Sequence, residues 1–165
     1  MTTVYLIRHS VRLKKSQINN YNTTQDKFIK DEKIILSVDG EKRAEILADE
    51  DELKDIDVVY TSNMVRTQAT AKYLCYKQNL QINIDERFNE RKSGIPNDTE
   101  YPDWFRRQYL DENFKTIGGE SQKEERDRVY EALLEILQNY KGKRIAIFAH
   151  GYSITFFLID RKSVV

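Results

Sequence analysis

Residues 144–151 read RIAIFAHG, an apolar run that ends abruptly at His150. A short run of this kind, rich in Ile and closed by polar residues, predicts a buried β-strand. The start of the chain repeats the arrangement, because VYLIRH at 4–9 is an apolar run that ends at Arg8 and His9. The chain contains only these 2 histidines. Both therefore follow the carboxyl end of a predicted strand.

Helices alternate with the remaining predicted strands. The run IDVVY at 56–60 predicts a second strand and LQINID at 80–85 a weaker third one. Three serines are placed to cap the connecting helices: Ser37, Ser62 and Ser121. Ser121 also forms a capping-box pattern with Glu124. Alternating strands and helices predict an α/β domain with a mostly parallel sheet, in which ligands bind at the carboxyl ends of the strands.

Length, charge and cysteine content restrict the class of protein. A chain of 165 residues predicts one domain over 1–165. Its 27 basic and 27 acidic residues balance, which argues against a nucleic acid or an anionic membrane as partner. No segment approaches the roughly 18 apolar residues of a membrane span. The single cysteine, Cys75, has no partner for a disulfide or a metal pair, so we expect a cytoplasmic protein.

The residues around the two histidines favour phosphate chemistry. Arg8 precedes His9 directly, and a guanidinium offers a planar set of donors that matches phosphate oxygens. Arg66 falls in the first turn of the helix predicted after Ser62, where the helix N-terminus favours anions. A neutral imidazole is a competent nucleophile towards phosphorus. His9 is therefore a candidate nucleophile with arginines beside it.

A carboxyl group is needed to protonate the leaving group. Glu90 in RFNERKSG at 87–94 is the candidate, provided that burial raises its pKa. Glu86 lies close by and stays open as an alternative. Arg12 follows His9 closely, and it either adds a cation to the phosphate site or faces solvent.

Five motifs occur in the following order along the chain: LIRHS, YTSNMVRTQATA, RFNERKSG, GGES and IFAHG. In this order they resemble the histidine phosphatase superfamily, also called the phosphoglycerate mutase-like family, from Val4 to about Phe157. The resemblance implies a three-layer α/β/α sandwich around a mostly parallel sheet, with no metal and no other cofactor. It implies that His9 is phosphorylated and that Glu90 donates the proton, with Glu120 as a nearby acidic alternative. It also implies three residues that hold the phosphoryl group: Arg8, Arg66 and His150.

The sequence departs from the family pattern at two places. Ser10 stands where a glycine usually follows the histidine, and its hydroxyl is a candidate donor to phosphate. The sequence also stops soon after His150, whereas the family usually continues through a helix and commonly another strand. We therefore expect a C-terminally shortened form of the fold, in which an unpaired sheet edge favours a homodimer.

Three functions stay open at this point. The first is a metal-independent phosphomonoesterase that forms a phosphohistidine on His9 and acts on a small phosphorylated metabolite. The second is a phosphoglycerate mutase, which returns the phosphoryl group to a second hydroxyl instead of water. The third is a protein that binds a phosphorylated ligand without turnover, because Ser10 and the short C-terminus impair the site.

Other segments have predictions of their own. Two variable segments, 13–35 and 92–118, are expected at the rim of the site. Five aromatic residues either form a lid over the site or pack a subdomain onto the sheet: Tyr101, Trp104, Phe105, Tyr109 and Phe114. The charged stretch 120–131 is expected to be the solvated face of a helix.

Overall fold

The computed structural model describes residues 1–13, 29–94 and 102–160 of the chain. The four strands are β1 (Thr3–Arg8), β2 (Val58–Thr61), β3 (Ile82–Ile84) and β4 (Arg144–Ala149). The helices between and after them are α1 (Val38–Leu47), α2 (Val65–Gln78), α3 (Trp104–Leu110), α4 (Gln122–Asn139) and α5 (Gly151–Asp160). Short 3-10 turns occupy Asp51–Leu53 and Glu86–Phe88, and residues 29–32 are also helical.

The four strands form one parallel sheet in the order β1-β4-β2-β3. Arg8 at the end of β1 pairs with Ala149 at the end of β4. Thr61 at the end of β2 pairs with Phe148. The carboxyl ends of three neighbouring strands therefore meet at one edge of the sheet, which confirms the prediction of a parallel α/β sheet.

Helices cover both faces of the sheet, and the alternation of side chains along β4 explains why. Ala146 and Phe148 face a core shared with α2 and with the segment after α1. Ile145 and Ile147 face a second core, shared with α4 and α5. All four side chains are fully buried, and burying each of the larger ones contributes about 1.5–3 kcal/mol. The predicted three-layer α/β/α sandwich is confirmed.

The helix starts agree with the sequence at two of three predicted caps. The two confirmed caps are Ser37 and Ser121. Ser121 and Glu124 form the full capping box. The prediction for Ser62 is wrong, because α2 begins at Val65 and its cap position is Met64, which makes no side-chain hydrogen bond there. The Ser62 hydroxyl is used elsewhere, as the site shows.

The structure also differs from the sequence predictions in the bounds of a strand and in the exposure of one charged segment. The third strand covers only Ile82–Ile84 of the predicted 80–85. The charged start of α4 is not wholly solvated, because Glu125 is 0% exposed. Of the predicted rim segments, 14–28 and 95–101 lie outside the described residues, and with them Tyr101. The shortened C-terminus and the homodimer stay predictions.

Candidate active site

A cavity of about 260 Å³ opens at the carboxyl edge of the sheet. Five of the predicted site residues line it: Arg8, His9, Arg12, Arg66 and Glu90. His150 lies behind this surface and is fully buried, with its ring centroid 5.2 Å from that of His9. Ser10 lines a second cleft that shares Arg8, His9 and Arg12 with the cavity. The fold thus brings all seven predicted residues into one neighbourhood.

The His9 ring is held in one orientation by its own neighbour in the chain. Its Nδ1 atom lies 2.7 Å from the carbonyl oxygen of Ser10. A carbonyl oxygen only accepts hydrogen bonds, so Nδ1 carries the proton and Nε2 presents a lone pair. Burial is the largest cause that lowers the pKa of His9 to about 4; the positive charges of Arg66 and Arg8 act in the same direction, and the Ser10 hydrogen bond opposes them. At neutral pH the ring is therefore uncharged.

Arg66 is a buried cation with an unused donor. Its side chain is 3% exposed, and its Nη1 donates to the carbonyl oxygen of Asp31 at 2.7 Å. Its Nε has no hydrogen-bond partner among the described residues. Burial lowers the pKa of Arg66 to about 10, so the guanidinium stays charged at neutral pH. A bound anion would satisfy the unpaired donor.

The other two arginines lie nearer to the solvent. Arg8 is exposed, and its guanidinium packs over Gly151, where an added Cβ would lie 3.5 Å from the Arg8 Cζ. Arg12 is exposed as well, and its backbone pairs with Leu36. Both side chains line the cavity, so the surroundings of His9 are strongly positive.

Glu90 joins the cavity to the start of α5. Its Oε1 atom accepts hydrogen bonds from the backbone N–H groups of Tyr152, at 3.1 Å, and Arg91, at 3.3 Å. Burial raises the pKa of Glu90, while those backbone hydrogen bonds and the charge of Arg66 oppose the rise. A carboxyl group with a raised pKa is suited to give and take protons near neutral pH.

The two acidic alternatives are placed differently. Neither Glu86 nor Glu120 lines the cavity; both lie in a neighbouring cleft of about 210 Å³. Glu120 forms a bidentate ion pair with Arg128, at 2.5 Å and 2.8 Å. Among these three carboxylates, only Glu90 faces both the cavity and the arginines around His9.

The Ser10 hydroxyl has a different partner from the predicted one. It donates to the carbonyl oxygen of Gly40 at 2.8 Å, while the Ser10 N–H donates to Thr70 Oγ1 at 3.0 Å. Ser10 therefore anchors the turn after β1 to α1 and α2 instead of offering its hydroxyl to the cavity. A Cβ on Gly40 would lie only 2.0 Å from the carbonyl oxygen of Val11, which explains the glycine early in α1. Sequence reasoning missed Gly40 and Thr70, although a glycine inside a helix was a usable signal.

His150 contacts Ser62, the residue that the sequence predicted to be a helix cap. Its Nε2 atom lies 2.8 Å from Ser62 Oγ, and its Nδ1 atom is buried without a hydrogen-bond partner among the described residues. Burial, together with the charge of Arg66, lowers the pKa of His150 far below the usual range, so the ring is neutral. Ser62 follows β2, and its position at the same sheet edge as the two histidines was the signal for this contact.

The contacts of the described aromatic residues indicate that they pack elements together and do not form a lid over the site. Tyr109 of α3 contacts Phe156 of α5, with ring centroids 5.8 Å apart, and Phe156 stacks on Tyr152 at 5.5 Å. Phe114 is buried. Within the described residues, these rings attach α3 to α5, and Tyr152 alone among them reaches the cavity.

Two kinds of feature are absent from the part of the chain that the structure describes. In 1–13, 29–94 and 102–160, no group of three or more His, Cys, Asp or Glu side chains is placed to hold a metal ion. Over the same ranges, every helix is too short or too polar to cross a membrane.

A three-layer α/β/α fold that carries a neutral histidine among arginines at the strand ends defines a class of proteins suited to phosphoryl groups. The comparison with known families specifies that class. The model of the histidine phosphatase superfamily (branch 1) matches residues 4–161, and the chain belongs to this superfamily.

Individual relatives share both sequence and fold with the chain. The probable phosphoglycerate mutase GpmB of Salmonella paratyphi A is 28% identical over 162 residues, which cover 93% of this chain and 72% of the relative. The structure of YhfR from Bacillus stearothermophilus matches with a TM-score of 0.79 and 22% identity, over 99% of this chain and 81% of YhfR. A mycobacterial glucosyl-3-phosphoglycerate phosphatase matches with a TM-score of 0.76 and 18% identity, over 94% and 76% of the two chains. At these identities the two structures show a shared fold.

Proposed function

We propose that the protein is a metal-independent phosphomonoesterase that forms a phosphohistidine on His9. One observation carries the proposal: the Ser10 carbonyl holds the proton of the His9 ring on Nδ1, at 2.7 Å, so that Nε2 is left as a nucleophile. The cavity beside it is lined by Arg8, Arg66 and Glu90. A small phosphorylated metabolite suits a cavity of about 260 Å³.

The first step transfers the phosphoryl group to the protein. The Nε2 lone pair of His9 attacks phosphorus, the bond from phosphorus to the ester oxygen breaks, and the Glu90 proton moves to that oxygen. Arg8 and Arg66 neutralise the remaining phosphoryl oxygens, whose charge grows in the transition state. The leaving alcohol departs neutral, and Glu90 is left ionised.

The second step releases phosphate. The ionised Glu90 takes a proton from water as the water oxygen attacks phosphorus, and the bond between phosphorus and Nε2 breaks. Inorganic phosphate leaves, His9 recovers its lone pair, and Glu90 recovers its proton. The same carboxyl group serves as acid and then as base, which requires the raised pKa that burial gives it.

A mutase is the second candidate, and the name of a relative supports it. The relative that is 28% identical is described as a probable phosphoglycerate mutase. A mutase shares the first step and differs only in the acceptor of the second, which is a hydroxyl of the bound metabolite. Isomerisation of 3-phosphoglycerate without release of free phosphate would replace the phosphatase proposal by this one.

The deciding experiment compares wild type with His9→Ala in the hydrolysis of p-nitrophenyl phosphate, in EDTA, across pH 5 to 8. We expect turnover by wild type that His9→Ala abolishes, with both proteins showing cooperative thermal unfolding. Equal rates would contradict the role of His9. Tight binding of inorganic phosphate or vanadate by a folded wild type without turnover would instead indicate a non-catalytic binding protein.

A further inference from the structure

Ser62 lies at the centre of a buried hydroxyl network behind the cavity. The residue is 0% exposed, and its Oγ atom lies 2.8 Å from His150 Nε2 and 2.8 Å from Thr67 Oγ1. The same Oγ accepts a hydrogen bond from the backbone N–H of Met64 at 3.2 Å. Its position after β2 places it beside the end of β4, which carries His150. The mechanism above does not use this hydroxyl.

The network offers two acceptors for one proton. Thr67 Oγ1 lies 2.7 Å from the carbonyl oxygen of Met64, which only accepts, so the Thr67 proton has a partner of its own. The single Ser62 proton then goes either to Thr67 Oγ1 or to His150 Nε2. Both arrangements satisfy Ser62, because the hydroxyl oxygen accepts from Met64 in each.

The choice decides which nitrogen of His150 carries a proton. When Ser62 donates to Nε2, the ring proton sits on Nδ1. When Ser62 donates to Thr67, Nε2 carries the proton and Nδ1 holds a lone pair. Nδ1 is the ring nitrogen that is buried without a partner among the described residues, in a ring 5.2 Å from that of His9. The ionised oxygens of a phosphoryl group accept hydrogen bonds, so only the first arrangement lets the Nδ1 atom of this ring donate to them.

We propose that Ser62 is a positioning residue, which donates its hydroxyl proton to His150 Nε2 and thereby makes the neutral His150 ring an Nδ1–H donor to phosphate. The inference rests on the proposed phosphate site. It goes beyond it by assigning the donor nitrogen of His150 and the residue that fixes it.

The test reads the two ring nitrogens directly by NMR of protein labelled with ¹⁵N-histidine. The chain has only 2 histidines, so the His9→Ala variant assigns every ring signal. With saturating inorganic phosphate, we expect His150 Nδ1 to show the shift of a protonated nitrogen and Nε2 that of an unprotonated one. The opposite tautomer, or a doubly protonated ring, would overturn the inference even if the Ser62 and Thr67 variants failed to fold.

Two matched variants separate positioning from simple packing. Ser62→Ala removes the donor, so we expect the His150 shifts to move and the affinity for inorganic phosphate to weaken about tenfold. Thr67→Val removes the competing acceptor and leaves the backbone N–H of Thr67 on the Met64 carbonyl at 3.1 Å, so tautomer and phosphate affinity should be kept. Unchanged shifts and affinity in Ser62→Ala would overturn the inference.

Failure of the proposed function gives a different result. The ring shifts and phosphate binding are measured without turnover. A wild type that binds phosphate with the expected tautomer but hydrolyses no ester contradicts the phosphatase and supports the role of Ser62. Normal hydrolysis with the proton on Nε2 contradicts the role of Ser62 alone.

Discussion

The two histidines follow neighbouring strands, but the sheet gives them different surroundings. His9 ends β1, an edge strand in the order β1-β4-β2-β3, and it lines the cavity. His150 ends β4, which has a strand on each side, and it is 0% exposed. The same local pattern, an apolar run that stops at a histidine, therefore yields one ring that lines the cavity and one that is buried behind it.

Their hydrogen-bond partners extend this difference. His9 bonds to a carbonyl oxygen, that of Ser10, which fixes the ring proton on Nδ1. His150 bonds to a hydroxyl, that of Ser62, which either donates or accepts. Burial keeps both rings neutral, because it lowers both pKa values. A neutral ring with a fixed lone pair is suited to nucleophilic attack. In a neutral ring beside a hydroxyl, the direction of that hydrogen bond sets which ring nitrogen is the donor.

The largest expected effect comes from His9, the histidine that lines the cavity. His9→Ala removes the attacking atom, so the hydrolysis rate of p-nitrophenyl phosphate should fall at least about 1,000-fold. Among the described residues, the hydrogen bond of the His9 ring goes to its chain neighbour Ser10, so urea unfolding should change little. A variant that lost stability as strongly as it lost activity would remove the contrast between the two histidines.

Substitution of Glu90, which lines the cavity and bonds to the start of α5, should give the next largest effect. Glu90→Gln keeps an acceptor for the Tyr152 N–H but cannot transfer a proton, so alkyl phosphates should lose about 100- to 10,000-fold in kcat. p-Nitrophenyl phosphate should lose less, because nitrophenolate leaves without protonation. The fall in activity as pH rises through the raised pKa of Glu90 should disappear in the variant. Equal losses for both substrates would contradict the role of Glu90 as acid.

The features that the sequence predicted correctly are those that local patterns encode. The strand β4 shows as an apolar run because both of its faces are buried. The capping box of Ser121 and Glu124 lies within one helical turn. The order of the motifs added the positions of His9 and His150. Strand ends and motif order were enough to expect these residues at one edge of the sheet, where the structure brings them together.

The features that the sequence missed depend on contacts between distant segments. Ser62 reads as a helix cap, but its partner His150 lies 88 positions away. Ser10 reads as a phosphate donor, but its hydroxyl reaches Gly40 across 30 positions. Glu125 reads as a solvated charge, but it faces Glu90 and Arg128, and burial raises its pKa well above the usual range. Such partners follow from the packing of helices on the sheet, which no local pattern records.

Substitution of His150, the buried histidine, should lower the free energy of unfolding. His150→Ala leaves a gap behind the cavity and removes the partner of Ser62, so unfolding should cost about 2–4 kcal/mol less than in wild type. Urea unfolding of His150→Ala and His9→Ala, measured side by side, checks this. Equal losses in the two variants would mean that burial does not separate the two rings as the structure indicates.

Per pH unit, the smallest effect is the change of stability with pH. Both rings are neutral in the folded protein, with the pKa of His9 at about 4 and that of His150 also lowered, whereas unfolded histidine titrates near 6.5. The unfolded chain therefore binds more protons as pH falls below about 6.5, and each histidine removes up to about 1.4 kcal/mol of stability per pH unit. The raised pKa of Glu125 acts in the opposite direction, because its contribution is lost as pH rises.

Because these contributions mix in one profile, the difference between wild type and His150→Gln isolates the buried ring. Glutamine has no titration in this range, so the free energy of unfolding of wild type should fall towards that of the variant between pH 6.5 and 4. The difference between wild type and His9→Gln should change in the same direction as pH falls and then level off near pH 4, where folded His9 also takes up a proton. For His150 the convergence should continue below that pH, because its pKa is lowered further. Parallel profiles for wild type and His150→Gln would show a ring whose pKa is the same in the folded and the unfolded protein, and would end the comparison drawn between the two histidines.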